Sequence, residues 1–318
     1  MTPPHEQVAQ AAAMLGGPAQ RDVPLGPLTT YRVGGAATLF VEASSLDDLW
    51  RVAEAVAATA LPTLVVGKGS NLLVADAGFP GVAVMLGPAF AEIAVDGTRV
   101  EAGGAVALPV AARRTVRAGL TGFEWAVGVP GSIGGAVRMN AGGHGSDMAA
   151  SLIEARVVDL TRPRSDAVVP VAQLDLGYRR SAVAPHHVVV MAALGLRRGD
   201  RPAGEREIAE IVAWRRANQP GGQNAGSVFT NPPDDSAGRL IESAGCKGLR
   251  LGSAEVSQKH ANFFQADPGG SADDVRALME MVRRRVRDHS GVDLRPETRL
   301  VGFDNPQPRP EPRVEVES

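Results

Sequence analysis

Thr63-Leu-Val-Val-Gly-Lys-Gly-Ser-Asn-Leu-Leu-Val-Ala-Asp76 opens with a short apolar run, Thr63 to Val66, that predicts a buried strand ending at Gly67. Gly67 and Gly69 then let a ligand approach the main chain, and successive exposed N–H groups there could hold a pyrophosphate. This is not a dinucleotide fingerprint of the G-x-G-x-x-G type, because Leu72 occupies the third glycine position. Nor is it a Walker A loop, whose G-K-[ST] ending is absent. A second segment has the same character: Gly128-Val-Pro-Gly-Ser-Ile-Gly-Gly-Ala-Val-Arg-Met-Asn-Ala-Gly142. Four glycines and a proline crowd its first eight residues, which predicts a rigid loop open to close approach. Read alone, either segment is an ordinary tight turn.

Around these segments the chain alternates helical and extended signals. Ser45 and Asp48 have capping-box spacing, and Leu46, Leu49, Ala53, Val56 and Ala57 share one helical face. An apolar segment, Val82 to Leu86, follows the turn residues Gly78, Pro80 and Gly81. Strands are predicted at 93–95, 98–102, 155–159 and 188–194, with a helix from Leu108 to Ala118 that stops at Gly119. Residues 197–206 read as a linker, and a helix follows from Glu207 to Asn218 with Ile208, Ile211, Val212 and Arg215 in a stripe. A last helix starts at Ser271, again with an acid, Asp274, at the capping-box position. Its Arg283-Arg284-Arg285 run reads as a solvated face near a helix C-terminus. The proline-punctuated tail, 304–318, is expected to be disordered.

Composition narrows the partners. A net charge of −2 gives no field that advertises nucleic acid or an acidic membrane. One cysteine, Cys246, excludes an intrachain disulfide framework, and the six histidines show no H-E-x-x-H spacing, so no metal is expected. The N-terminus lacks the basic and apolar regions of a signal peptide, and the longest apolar run is too short to span a bilayer. A cytoplasmic monomer without nucleic-acid or membrane partners is the expectation.

Taken together, the glycine segments resemble the FAD-binding signatures of the UDP-N-acetylenolpyruvoylglucosamine reductase family, and Thr30-Tyr-Arg-Val-Gly-Gly-Ala36 looks like its N-terminal flavin motif. The likeness continues in order through Gly177-Tyr-Arg-Arg-Ser181, Ala225-Gly-Ser-Val-Phe-Thr-Asn-Pro232 and Gly245-Cys-Lys-Gly-Leu-Arg-Leu-Gly252. It ends with Ser257-Gln-Lys-His-Ala-Asn-Phe263 and Leu294-Arg-Pro-Glu-Thr-Arg-Leu-Val-Gly302. Such ordered multiplicity is far more specific than one glycine loop.

The resemblance implies an α+β fold: a two-part FAD-binding region of the vanillyl-alcohol-oxidase type and a C-terminal α+β substrate domain. The expected parts are residues 15–77 with 295–303 returning to them, 78–206, and 207–294. No long insertion is obvious near 180–200, so the shorter subclass of the family is expected. The implied reaction reduces UDP-N-acetylglucosamine enolpyruvate to UDP-N-acetylmuramate, for peptidoglycan precursors, with hydride passing from NADPH through non-covalent FAD. Hydride addition at the vinyl carbon leaves enolate character beside the carboxylate, so the site needs a cation and an acid.

Matched motif to motif, Ser227 takes the proton-donor role, Arg179 polarises the carboxylate and Glu297 completes the electrophilic site, as a protonated acid or through a water. The cofactor is implied to contact Arg32, Gly67, Lys68, Gly69, Ser70, Asn71 and Leu72. From the second segment come Gly128, Pro130, Gly131, Ser132, Gly134, Gly135, Asn140 and Gly142. Tyr178, Asn231 and His260 are implied on the substrate side. Without the family, Ser227 before Val-Phe reads as structural, and Glu297 beside Arg295 and Arg299 as a surface ion pair. Thr230, Asn218 and His144 depart from the usual pattern, where lysine, a basic residue and an aromatic are typical. Arg215, Arg216, Lys247, Arg250 and Lys259 are all candidates to replace the missing phosphate grip. Two rivals stand beside this reading: another FAD oxidoreductase on the same flavin domain, and a non-catalytic nucleotide-binding protein.

Overall fold

The computed structural model describes residues 4–303; the tail expected to be disordered, 304–318, lies outside them. Thr63–Val66 is a strand, paired in parallel with Phe79–Leu86, which pairs in parallel with Ala36–Ala43 on its other side. Ala19–Pro24 closes this four-stranded sheet in antiparallel sense. Phe79–Leu86 is apolar on both faces, as a covered parallel strand must be. Val82 and Val84 point into one core, and Ala83 points into another with Leu25, Phe40 and Val74. Helices His5–Leu15 and Leu46–Thr59 cover the first face. The second of these starts with a complete capping box. Ser45 Oγ accepts from Asp48 N at 3.2 Å, and the Asp48 carboxylate accepts from Ser44 and Ser45 N–H at 2.8 and 3.0 Å.

The strands expected between 93 and 194 form one antiparallel sheet, in the order Asp166–Pro170, Leu152–Asp159, His187–Gly195, Arg99–Gly103, Ile93–Asp96. Asp166–Pro170 was absent from the sequence reading for a physical reason. It is an edge strand with one buried residue, Val169, so no alternation marks it. Helices Leu108–Arg117 and Arg201–Asn218 share a core with this sheet.

Two sequence readings are corrected. Residues 197–206 are not a linker. Arg197 and Arg198 pair with Thr121 and Leu120 respectively, and Asp200 then caps the helix Arg201–Asn218 by accepting from Ala203 N at 3.0 Å. Gly204, which looked like linker composition, packs against the neighbouring helix, where a Cβ would lie 2.9 Å from Val116 Cγ1. Residues 128–135 are not loop throughout, because a helix, Ile133–Met139, begins inside them, capped by Ser132 Oγ, which accepts from Gly135 N at 3.4 Å. A Cβ on Gly134 would sit 2.9 Å from Val189 O, so glycine lets that helix rest on the strand His187–Gly195.

The C-terminal part packs helices Ala237–Ser243 and Ala272–Ser290 on a three-stranded sheet around Leu240, Phe264, Val275, Leu278 and Val282. Ser271 caps the long helix, but Asp274 does not close a capping box. Its carboxylate accepts instead from Ser253 N and Oγ, at 2.7 and 2.8 Å. The remaining end donors, Ser271 Oγ, Ala272 N and Asp273 N, go to Asp76, which ends the flavin-like segment almost two hundred residues earlier. Arg283 pairs with Asp293, as befits a solvated face. The chain then returns to pair Arg299–Val301 in parallel with Leu72–Val74. Among the described residues no helix is long and apolar enough to cross a membrane.

Candidate active site

The two glycine segments meet in space. Ser70 Oγ donates to Pro130 O at 3.1 Å, a Cβ on Gly67 would lie 2.8 Å from Ser132 Oγ, and one on Gly131 would lie 3.0 Å from Ser70 Oγ. Gly69, at φ +60°, passes so close to the N-terminal motif that a Cβ would be 2.2 Å from Leu28 O. No side chain survives that approach. Arg32 stands exposed beside it, at φ 56°, with its N–H on Thr29 Oγ1 at 3.1 Å.

A cavity of about 330 Å³ opens where the segments converge, lined by Gly67, Lys68, Ser132, Gly134 and Gly135 together with Arg138 and His187. Glycine backbone with two cations suits a pyrophosphate-bearing cofactor, since N–H groups and positive charge both favour anionic oxygens. Arg138 was not singled out from the sequence. Its signal was a cation inside a glycine-rich segment.

Beside this cradle, residues far apart in sequence form a pair. Arg179 Nε lies 2.9 Å from Glu297 Oε1, and Arg179 Nη2 donates to Gly142 O at 3.0 Å. Arg179 occupies a tight turn closed by Gly177 N to Arg180 O at 3.0 Å and Arg180 N to Gly177 O at 3.2 Å. Its φ of 56° is the left-handed region that non-glycine residues avoid, and such strain concentrates at functional sites. Tyr178 is exposed, its ring 5.1 Å from the Arg179 guanidinium carbon.

Ser227 pairs as a β-bridge with Phe263 and directly precedes Val228, whose carbonyl accepts from Glu297 N at 2.7 Å. Backbone pairing of Phe229 with Pro296 completes the junction. The three residues expected to be catalytic are thus tied to one another, Arg179 to Glu297 by charge and Glu297 to the segment after Ser227 by the main chain.

Two residues expected to touch the cofactor have side chains engaged inside the protein. Asn140 is buried, and its amide donates to Gly177 O at 3.0 Å and Asp147 Oδ2 at 3.2 Å while its Oδ1 accepts from Ala149 N at 3.0 Å. The Asn71 amide donates to Glu297 O at 3.1 Å. On the far side, Asn231 Oδ1 accepts from Ala237 N at 3.0 Å, and a Cβ on Gly238 would lie 3.3 Å from His260 Cε1. His260 Nδ1 accepts from Asn262 N at 3.2 Å, which leaves the neutral ring's proton on Nε2. Burial lowers its pKa.

Of the cations weighed as phosphate grips, Lys247 pairs with Glu242, Arg250 with Glu255 and Asp267, and Arg215 with Gln219. Lys259 Nζ donates to Arg216 O at 2.6 Å, tying the His260 loop to the helix Arg201–Asn218. The departing residues also find local uses: Thr230 Oγ1 donates to Arg295 O at 3.3 Å, the Asn218 amide to Trp214 O at 2.8 Å, and His144 stacks edge-on with Trp214.

Asp159, His186 and His187 bring potential metal-ligand atoms within 4.8 Å of one another. His187 Nδ1 accepts from Ala184 N at 3.2 Å, so the neutral ring carries its proton on Nε2, the atom facing Asp159. That is a hydrogen-bonded buried histidine rather than a prepared ligand.

Residues 218–301 match the family profile described as UDP-N-acetylenolpyruvoylglucosamine reductase, C-terminal domain, and residues 37–161 match an FAD binding domain. A UDP-N-acetylenolpyruvoylglucosamine reductase of Heliobacterium modesticaldum is 44% identical over 286 residues, covering 88% of this chain and 89% of that protein. One of Rubrobacter xylanophilus is 40% identical, covering 89% and 95%. The crystal structure of UDP-N-acetylenolpyruvylglucosamine reductase from Thermus caldophilus superposes with a TM-score of 0.77 at 34% identity, over 88% of this chain and 98% of that one.

Proposed function

The chain belongs to the UDP-N-acetylenolpyruvoylglucosamine reductase family of FAD-dependent oxidoreductases, and from that premise we propose that it reduces UDP-N-acetylglucosamine enolpyruvate to UDP-N-acetylmuramate with NADPH, as a step toward peptidoglycan precursors. Bound between the two glycine segments, FAD would take hydride from NADPH and supply it to the enolpyruvyl side chain. Three parts divide the labour: residues 15–86 with 295–303 and residues 87–218 seat the cofactor, and residues 219–294 receive the nucleotide sugar. The boundaries expected at 77 and 206 move because Phe79–Leu86 is an inner strand of the first sheet and the helix Arg201–Asn218 packs in the core of the second.

The observation that carries this reading is the Arg179–Glu297 pair, bonded to both glycine segments through Gly142 O and the Asn71 amide. As hydride arrives at the vinyl carbon, negative charge grows toward the substrate carboxylate. A planar guanidinium matches that carboxylate with two parallel donors and stays charged throughout. Glu297 holds the guanidinium from one side and Gly142 O from another, so the fork is oriented before substrate arrives. Ser227 hydroxyl delivers the proton to the adjacent carbon; a serine acts so only with close geometry and neighbours that stabilise its conjugate base. Its backbone link to the Glu297 segment keeps donor and cation in one frame. Asn231 and His260 face the nucleotide sugar.

The deciding experiment is optical. The purified protein with FAD is mixed anaerobically with NADPH and then with UDP-N-acetylglucosamine enolpyruvate. Flavin absorbance should bleach and then return. Bleaching without return would require a different acceptor, and a chain that never takes up FAD would remove the reading.

A further inference from the structure

The sequence marks Asn71 and Asn140 as members of the two glycine segments, and the structure gives their side chains another task. Each grips the main chain next to one partner of the Arg179–Glu297 pair. The Asn71 amide donates to the carbonyl of Glu297 itself, while the Asn71 carbonyl accepts from Arg299 N at 2.9 Å. Asn140 donates to Gly177 O, the residue that opens the turn holding Arg179. We propose that Asn71 and Asn140 are positioning residues, which transmit the placement of the two cofactor segments to the Arg179–Glu297 pair without touching the reacting atoms.

The case is stronger for Asn140. It ends the helix Ile133–Met139 in left-handed conformation, φ 39° and ψ 57°, a geometry asparagine tolerates better than other side-chain-bearing residues. The first turn of that helix lines the cofactor cavity through Ser132, Gly134 and Gly135. Its last turn clamps the segment around Arg179 at three points. Asn140 holds Gly177 O, Ser181 Oγ donates to Arg138 O at 2.6 Å, and Arg138 Nη1 donates to Ala184 O at 2.9 Å. Arg179 is itself in a strained backbone conformation, and such a conformation persists only where surrounding contacts over-determine it. Asn140 is buried and makes three hydrogen bonds, all within the protein, so its side chain is already satisfied. It also braces the hairpin that carries Gly142, whose carbonyl receives Arg179 Nη2. A helix of seven residues therefore joins the cofactor's seat to the orientation of the arginine.

The inference rests on the role proposed above for Arg179, and the experiment separates the two. Holoenzyme carrying Asn140→Gly, Arg179→Gln or both is followed by stopped flow. Glycine keeps the left-handed backbone and removes only the side chain. Asn140→Gly should slow flavin reoxidation by the enolpyruvyl substrate about 10- to 100-fold, equivalent to one or two hydrogen bonds. FAD affinity, the flavin absorption band and reduction by NADPH should stay within about twofold, since the side chain does not meet the cofactor. The double variant should be no slower than Arg179→Gln alone, because a residue acting through Arg179 has nothing left to place.

Multiplicative slowing in the double variant, or a shifted flavin band and weakened FAD binding in Asn140→Gly, overturns the inference and leaves the role of Arg179 standing. Normal reoxidation by Arg179→Gln overturns both. Should Asn140→Gly fail to fold, Asn71→Ala with Glu297→Gln is the same cycle through the other segment, with the same outcomes read the same way.

Discussion

Arg179 sits at φ 56° although it is not glycine, and this makes stability and activity separable at one position. Arg179→Ala and Arg179→Gly remove the same side chain, so both lose the 2.9 Å pair with Glu297 and the 3.0 Å bond to Gly142 O. They differ in the main chain. Left-handed backbone costs a residue with a Cβ about 1–2 kcal/mol, while glycine's extra freedom in the unfolded chain returns about 0.4–1 kcal/mol of that advantage. The glycine variant should therefore be more stable than the alanine variant by roughly 0.5–1 kcal/mol. Both should be nearly inert in flavin reoxidation. The two parallel donors that the guanidinium would offer the substrate carboxylate, at about 1.5–3 kcal/mol each, correspond to a loss of roughly 10²–10⁴-fold. Urea unfolding of the two holoproteins measures the first quantity, and anaerobic stopped flow the second. An alanine variant as stable as the glycine variant would show that the turn is unstrained, and reoxidation within about threefold of wild type would take Arg179 out of the reaction.

Ser227→Ala should leave flavin reduction by NADPH near normal and slow reoxidation by about 10²–10⁴-fold; an unchanged second phase would refute the proton-donor role. Asp76→Ala removes the acceptor of three donors at the start of the helix Ala272–Ser290 and should cost about 1–2 kcal/mol in urea unfolding, with Asp76→Asn losing less; an asparagine variant as destabilised as the alanine one would mean that the cap depends on charge alone, with nothing left for a neutral acceptor. His187, pushed down to about 4 chiefly by burial, and further by His186 and Arg138 against the opposing pull of Asp159, should make stability depend on pH. The unfolded chain protonates this histidine near 6.5 and the folded one does not until about 4, so its contribution is intact above 6.5 and lost as pH falls through that window, by at most ~3 kcal/mol. His187→Asn, which can still accept from Ala184 N, should flatten the profile between those limits; a profile unchanged by the substitution would refute the assignment.

The legible part of the fold was the part whose signals are local. The Ser45–Asp48 box, the run Thr63–Val66 and the strand at 188–194 all declare themselves within a few residues, and each is present. Residues 197–206 misled because Gly204 and Pro202 look like linker composition. In the structure Pro202 occupies the first turn of a helix, where its missing N–H costs nothing, and Gly204 is small because Val116 lies against it. The capping box at Ser271 failed in a different way. Its spacing was correct, but Asp274 had a better partner in Ser253, and an acid from elsewhere in the chain took the free end donors. No local pattern contains a contact between residues 76 and 272.

The same distinction explains what the sequence said about the site. Motif order brought Arg179, Ser227 and Glu297 forward, and their proximity is a consequence of chain return: Arg299–Val301 pairs beside Leu72–Val74 and carries Glu297 to the cofactor segments. What no motif conveys is how a side chain is employed once it arrives. Asn71 and Asn140 lie in cofactor signatures, yet their amides are bonded to main-chain carbonyls of the segments that carry Glu297 and Arg179. A family signature marks residues that must stay together and does not distinguish contact from support. A satisfied, buried amide next to a strained turn is the physical mark of support, because a left-handed arginine held by one ion pair alone would relax. On the reading proposed here, the glycine segments have two functions in one stretch of chain: their glycines and N–H groups would admit the cofactor, and their asparagines, bonded to Glu297 O and Gly177 O, would fix the groups that act beside it.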